Sequence, residues 1–434
     1  MQKTAASLLR CTSHSLNARL MACTLLYSRD MTSSVPDNNP SARHAPLWLL
    51  ALITFSGTLA MHIFVPALPD AARDLGASVG AMQLTMSVYI LGLAAGQLVY
   101  GPISDHFGRR PVLMVGLVIY ACTGLWAAFA PNVNTLIVLR LLQALGGCSG
   151  MVIGRAMVRD TAVDKDAGRR LALMNLMVVI GPGIAPLIGS AVTTTVGWRA
   201  LFFLLSGLGV VNFAFTWTLL PETRPRGRTT HLLALARDYG RLLKSPTFLG
   251  YALGGGCATT AMYGFVAASP FIFTHQLGRP DYEVGMYLAV QFVGIWLGSM
   301  TAARLISRVP IDRLAIGANF LSVVAAVGFL VAVLSGHLSV PLVVAPMFLF
   351  AAGAGIASPA AMTQAISVNP KVVGSASGLY GFSQMGVGAA CSAITGLGSN
   401  PALSAALVLV AAGVIAQASF WIAVRSKRRA IAES

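Results

Sequence analysis

The chain has 434 residues, of which 56% are hydrophobic and only 10% charged, with 44 Gly and 21 Pro. So few charges exclude a disordered tail, a coiled coil and a cytosolic enzyme, whereas abundant Gly and tolerated Pro fit a chain whose solvent is the bilayer. A formal charge of +16 would point to nucleic acid on a soluble protein, so the placement of the basic residues along the chain decides what it means.

Residues 1–30, MQKTAASLLRCTSHSLNARLMACTLLYSRD, are Ser- and Arg-rich and poor in acids, superficially like a transit peptide. The reading favoured here is a disordered extension or an over-called start, with Met31 opening a shorter N-terminus and residues 1–45 forming a cytoplasmic N-terminal extension. Stretches of about 20 mostly apolar residues, the length a bilayer requires, follow. They lie at 47–69, 82–104, 112–130, 135–157, 171–196, 200–220, 247–274, 284–306, 314–335, 341–367, 377–398 and 402–424. They predict an all-α polytopic membrane protein with 12 transmembrane helices in two six-helix pseudo-symmetric halves, 46–220 and 247–424. A cytoplasmic linker, 221–246, is too polar to cross and divides the halves, and 425–434 forms a cytoplasmic tail. Leu142–Gly146 in span four and Leu349–Gly353 in span ten occupy equivalent places in the two halves, as parallel repeats would.

With twelve spans both termini share a side, and 24 Lys and Arg fall on that side. Only Arg73, Arg199 and Arg279 fall on the other, while Arg140, Arg155 and Arg304 lie within spans. The positive-inside rule then places both termini in the cytoplasm and turns the net charge into a topology signal. Trp48, Trp198, Trp217 and Trp421 sit at span ends as interfacial anchors. The six cysteines are scattered without CxxC or metal-ligand spacing, so reduced packing thiols and no metal site are expected.

Three segments carry more specific chemistry. The loop after span two reads Gly101-Pro-Ile-Ser-Asp105-His-Phe-Gly108-Arg109-Arg110-Pro111. A tight two-helix turn needs Gly108, and a cytoplasmic gate needs a carboxylate, Asp105, and guanidinium groups, Arg109 and Arg110, that pair in one state and separate in the other. An ordinary basic turn explains the arginines but not Gly101-Pro102, Asp105 and Gly108 together. Span four carries Arg140 in VLRLLQALGGCSG. A charge at that depth costs about 2.5–3.5 kcal/mol on insertion scales, so it must face protein or water. Its alternative role is structural, bonding carbonyls of a neighbouring helix. Span five carries Gly181-Pro182-Gly-Ile-Ala185-Pro186-Leu-Ile-Gly189, where two prolines four apart each delete a helix hydrogen bond and bend the segment, or form an ordinary kink.

The span-two loop resembles the G-P-x-S-D-R-x-G-R-R-P signature of the major facilitator superfamily, with His106 in place of one Arg. Span four resembles its R-x-x-Q-G-x-G motif, with Ala144 in place of the first Gly. Span five resembles the P-x-x-A-P-x-x-G motif of its proton-driven antiporters. With Met82–Pro102, Val65–Ser78 and Gly154–Asp160 (GRAMVRD), these segments are similar to the bicyclomycin/chloramphenicol-resistance branch of drug:proton antiporters. The resemblance is detailed through spans one to six and rests on span count and composition beyond. It implies the major facilitator fold and export of drugs in exchange for protons by alternating access.

The chain departs from that branch in span one, where His62 in MHIFVPALP stands at the position of the branch's Asp. No carboxylate lies in the interior of any span, and His62 is the histidine well inside one. Proton coupling is therefore assigned to His62 with Arg140 nearby, because imidazole titrates in the physiological range; a neutral, structural His62 is the alternative. A cavity with Arg140 and His62 and no acid favours neutral or weakly anionic amphiphiles over cations. Gln143, Asn175, Tyr263, Gln291, Tyr380 and Gln384 are the polar candidates to orient them.

The expected function is thus secondary active export of small amphiphilic drugs or metabolites in the inner (plasma) membrane, by a monomer whose partners are substrate, protons and lipid, with no nucleic acid and no cofactor. Export of one specific metabolite, or proton-independent facilitation, is the runner-up. A membrane enzyme lacks clustered His/Asp/Glu, ATP drive lacks a G-x-x-x-x-G-K-[ST] loop, and a sensor lacks room for an output domain in 221–246.

Overall fold

The computed structural model describes residues 46–161, 181–223, 232–369 and 372–432; the N-terminal extension and Asn175 lie outside them. The described chain is helical, with no strand among the described residues. Span one is α1 (Leu47–His62), a 3-10 turn (Val65–Ala67) and α2 (Leu68–Asp74). Pro66 and Pro69 lack the N–H that a continuous ladder needs there. Then come α3 (Val79–Phe107), capped by Ser78 Oγ accepting from the Ala81 N–H at 3.2 Å, α4 (Arg109–Ala128) and α5 (Val133–Thr161). They are followed by α6 over 181–196 and α7 (Arg199–Leu219).

The polar linker contains a helix of its own, α8 (Leu232–Leu243), whose 12 residues reach only about 18 Å, short of a bilayer core. The second half holds α9 (Pro246–Thr260), α10 (Met262–Phe271) with a π-helical turn (Ile272–Gln276), α11 (Asp281–Leu305), α12 (Ile311–Leu334), α13 (Val340–Ser367), α14 (Val373–Thr395) and α15 (Pro401–Ala432). Ten helices among the described residues are long and apolar enough to cross a membrane. The other two expected spans are α14, diluted by Gly and Ser, and the 171–196 segment, of which α6 is the described part.

The two halves are built alike. α5 packs against α1, α3 and α4, and α13 packs against α9, α11 and α12. The equivalence of Gly146 and Gly353 has a physical cause. A Cβ on Gly146 would lie 2.6 Å from the Tyr120 backbone N on α4, and one on Gly353 would lie 2.7 Å from the Ala318 carbonyl on α12. With lipid as solvent, helices associate through such close backbone approach rather than hydrophobic exclusion.

Two seams join the halves. Along α3 and α14, Ser87 Oγ donates to Ser392 Oγ at 2.9 Å and Gln97 Nε2 donates to the Gly381 carbonyl at 3.3 Å. Between α6 and α11, Ser190 Oγ donates to the Asp281 carbonyl at 3.1 Å, and a Cβ on Gly285 would fall 2.6 Å from the Pro186 carbonyl.

Candidate functional site

At the basic end of the bundle the 101–111 loop folds into a clamp. Gly108 joins α3 to α4 with φ +97° and ψ 151°, a region open only to glycine. The first N–H groups of α4 are orphan donors, and the Glu222 carboxylate accepts from both the Arg109 N–H (2.9 Å) and the Arg110 N–H (3.1 Å). Arg109, 5% exposed, meets Asp105 at 2.6 Å, Asp160 at 3.0 Å and Ser104 Oγ at 2.6 Å. Arg110 donates to the Trp217 carbonyl at 2.5 Å. The anticipated pairing of Asp105 with Arg109 is made, and it is closed by a second carboxylate from the end of α5. Glu222 and Asp160 had no singled-out role in the sequence; the orphan donors that open α4 were the signal for the first.

Beside this clamp lies a cavity of about 390 Å³, the size of a small-molecule site. Gly101, Asp105 and Arg109 line it, together with Arg155 and Arg159 of α5, Asp238 and Tyr239 of α8, and Ser375 and Ser377 of α14. Gln143, Tyr263, Gln291, Tyr380, Gln384 and His62 are not among its lining residues. The linker helix was not anticipated as a wall of the cavity.

Deeper in the first half, Arg140 is fully buried. Its guanidinium carbon lies 4.0 Å from the Tyr89 ring centroid, 5.3 Å from Phe64 and 5.8 Å from Phe202, and Nη1 donates to Gln143 Oε1 at 2.9 Å. An aromatic cage and Gln143, rather than helix carbonyls, thus hold the charge. Nε and Nη2 of Arg140 and Nε2 of Gln143 have no hydrogen-bond partner among the described residues. Tyr89 also ties the cage to α1, donating to the Gly57 carbonyl at 2.8 Å.

His62 ends α1 at the junction of the halves, 2% exposed. Its Nδ1 lies 2.9 Å from the Thr58 carbonyl, and its ring meets Tyr263 of α10 and Phe292 of α11 edge-on, with centroids 6.0 and 5.1 Å away. Nε2 is buried without a partner among the described residues. His62 and Arg140 are not hydrogen-bonded to each other. Gln291, next to Phe292, is fully buried, and neither its amide atoms nor the Tyr380 hydroxyl have a partner among the described residues. Gln384 Nε2 donates to Thr259 Oγ1 at 2.8 Å, stitching α14 to α9.

The span-five motif lies in the second seam. A Cβ on Gly189 would reach 2.0 Å from the Ile63 carbonyl, and one on Gly181 would enter the Phe55 ring, so both glycines press α6 onto α1. Ala185 is fully buried, and Gly285 of α11 abuts Pro186; Pro182 shapes the same segment. At this end, away from the basic loops, Arg73 reaches Asp281 across the halves at 3.6 Å, and Asp74 pairs with Arg199 and accepts from Trp198 Nε1 at 3.1 Å. Cys148, Cys257 and Cys391 are buried free thiols, and Cys122 is free and exposed.

Residues 50–393 match the family model described as Major Facilitator Superfamily. Multidrug resistance protein D of Escherichia coli K12 is 33% identical over 364 residues, covering 81% of this chain and 90% of that one. A bicyclomycin resistance protein homolog of Haemophilus influenzae is 25% identical, covering 78% and 86%. Among solved structures, a bacterial homolog of the human lysosomal transporter Spinster, in an inward-facing and unoccupied conformation, superposes with a TM-score of 0.67 at 19% identity, covering 88% and 96%.

Proposed function

Because this chain belongs to the major facilitator superfamily, we propose that it is a secondary active transporter that exports small amphiphilic drugs or metabolites in exchange for protons. The relatives named for multidrug and bicyclomycin resistance support the export reading, and neutral or weakly anionic compounds are the preferred class. The basic face is the cytoplasmic face of an inner membrane, with both termini there. The twelve spans divide into halves at 46–220 and 247–424, and the unit is a monomer.

One observation carries the reading. The α6–α11 seam and the Arg73–Asp281 pair close the far end, while a cavity of about 390 Å³ lies between the halves at the basic end. That is one end state of alternating access, in which rigid halves rock about a mid-membrane site. The clamp of Asp105, Arg109 and Asp160 holds the first half rigid at its cytoplasmic edge. Shutting the cavity brings the second half against this edge.

Coupling falls to His62. Its ring wedges between the halves against Tyr263 and Phe292, with Nε2 unpartnered. Parting the halves at the far end exposes that nitrogen to water and to a proton. Arg140, held in its cage, fixes a positive charge in the same half, so loading of His62 and of substrate compete for one conformation. Gln291 and Tyr380 hold unpartnered polar atoms that a substrate satisfies in the opened seam; Gln143, Asn175, Tyr263 and Gln384 complete the polar set.

The test is reconstitution into proteoliposomes containing a pH-sensitive dye, with neutral, anionic and cationic aromatic probes added with and without an imposed pH gradient. Substrate-dependent proton movement with neutral or anionic probes is expected. Transport indifferent to the gradient would establish facilitation instead, and a strong preference for cations would overturn the charge argument.

A further inference from the structure

Arg155 lies within α5, five residues before the clamp's Asp160, and lines the same cavity as Arg109. The two differ in how their charge is met. Arg109 is held by Asp105 and Asp160, whereas no carboxylate among the described residues pairs with Arg155, and its Nε is buried without a hydrogen-bond partner. Asp238, across the cavity on α8, lies 3.8 Å from Arg241. Arg159, one turn beyond Arg155, adds a further positive charge to the wall. A half-buried guanidinium in a membrane protein needs an opposite charge or polar partners, because desolvation without compensation is costly. Its planar fork matches a carboxylate bidentately. Tyr239 and Ser375 bring hydroxyls to the same wall, and Met151 and Val152 bring apolar surface.

We propose that Arg155 is the recognition group for the anionic head of an amphiphilic carboxylate, whose apolar body lies against α5 in the cavity at the basic face. The assignment rests on the export reading and narrows it, making the loaded substrate a monoanion bound by Arg155, with Tyr239 and Ser375 orienting it. A neutral analogue of the same shape occupies the cavity more weakly because the guanidinium is then left unpaired.

The probe pair is radiolabelled 4-butylbenzoate and its isosteric amide, 4-butylbenzamide, measured by equilibrium binding to the purified full chain in uncharged detergent. Wild type should bind the benzoate about tenfold or more tightly than the amide. Arg155→Gln should erase that difference by weakening benzoate binding, and Arg155→Lys should restore part of it as a point charge. Benzoate binding unchanged in Arg155→Gln, or equal loss of both probes in Arg155→Gln and Arg155→Lys alike, would overturn the assignment. A further arm adds phosphatidylglycerol: no competition with the benzoate is expected, and displacement that depends on Arg155 would make the occupant a lipid headgroup and overturn the substrate role. Binding at equilibrium needs no gradient, so a failure of proton exchange in the liposome assay leaves this result standing, and the converse holds.

Discussion

Replacing Gly108 by Ala tests how the α3–α4 turn holds the clamp together. The backbone there, φ +97° and ψ 151°, lies where a Cβ is strained, at a cost of about 1–3 kcal/mol. The new Cβ would also sit 2.7 Å from Glu222 Oε2. It therefore expels the carboxylate that accepts the Arg109 and Arg110 N–H groups, and a cap of this kind contributes about 0.5–2 kcal/mol. The Ala variant should lose about 1.5–5 kcal/mol in all, and Glu222→Ala alone only the cap's share. Because both changes remove the same cap, the double variant should be less destabilised than the sum of the singles by about 1 kcal/mol. Reversible denaturation in detergent, followed by tryptophan fluorescence, measures the cycle. Strict additivity would show that Glu222 does not act through this turn.

Three further outcomes follow from the geometry. Tyr89→Leu removes the ring 4.0 Å from the Arg140 guanidinium, and should cost about 2 kcal/mol or more of stability; Tyr89→Phe, which keeps the ring and loses the bond to Gly57, should cost about 1 kcal/mol in the same unfolding assay. Gly285→Ala forces the α6–α11 seam apart, since its Cβ would lie 2.6 Å from the Pro186 carbonyl; labelling of a Ser190→Cys reporter by an impermeant maleimide from the far side should speed up. Arg109→Lys cannot reach Asp105, Asp160 and Ser104 at once, so transport in liposomes should fall well below wild type even though the charge is kept.

Much of this architecture was legible because the bilayer imposes length and polarity on every span. Apolar runs located the helices, and the Gly146–Gly353 equivalence anticipated packing that backbone contact makes obligatory. The Asp105–Arg109 pair was legible because the motif sets a carboxylate and a guanidinium four residues apart on either side of the turn that Gly108 makes. The rest depends on contacts distant in sequence. Glu222 caps α4 from 113 residues away. The linker helix α8 was hidden by composition, since its Arg and Asp mark it as non-spanning without excluding a short amphipathic helix. The cavity lies at the basic end, lined by Arg155, while Gln143 packs beside Arg140, Tyr263 against His62 and Gln384 onto α9. Periodicity cannot tell a polar residue facing a cavity from one facing a neighbouring helix.

The most direct measurement compares wild type with His62→Ala in proteoliposomes, recording protons moved per substrate transported against an imposed pH gradient. Substrate movement down its own gradient should persist in the variant while gradient-driven accumulation and its proton signal vanish. Undiminished proton-driven accumulation by His62→Ala would show that this imidazole is a packing element and that the proton is carried elsewhere.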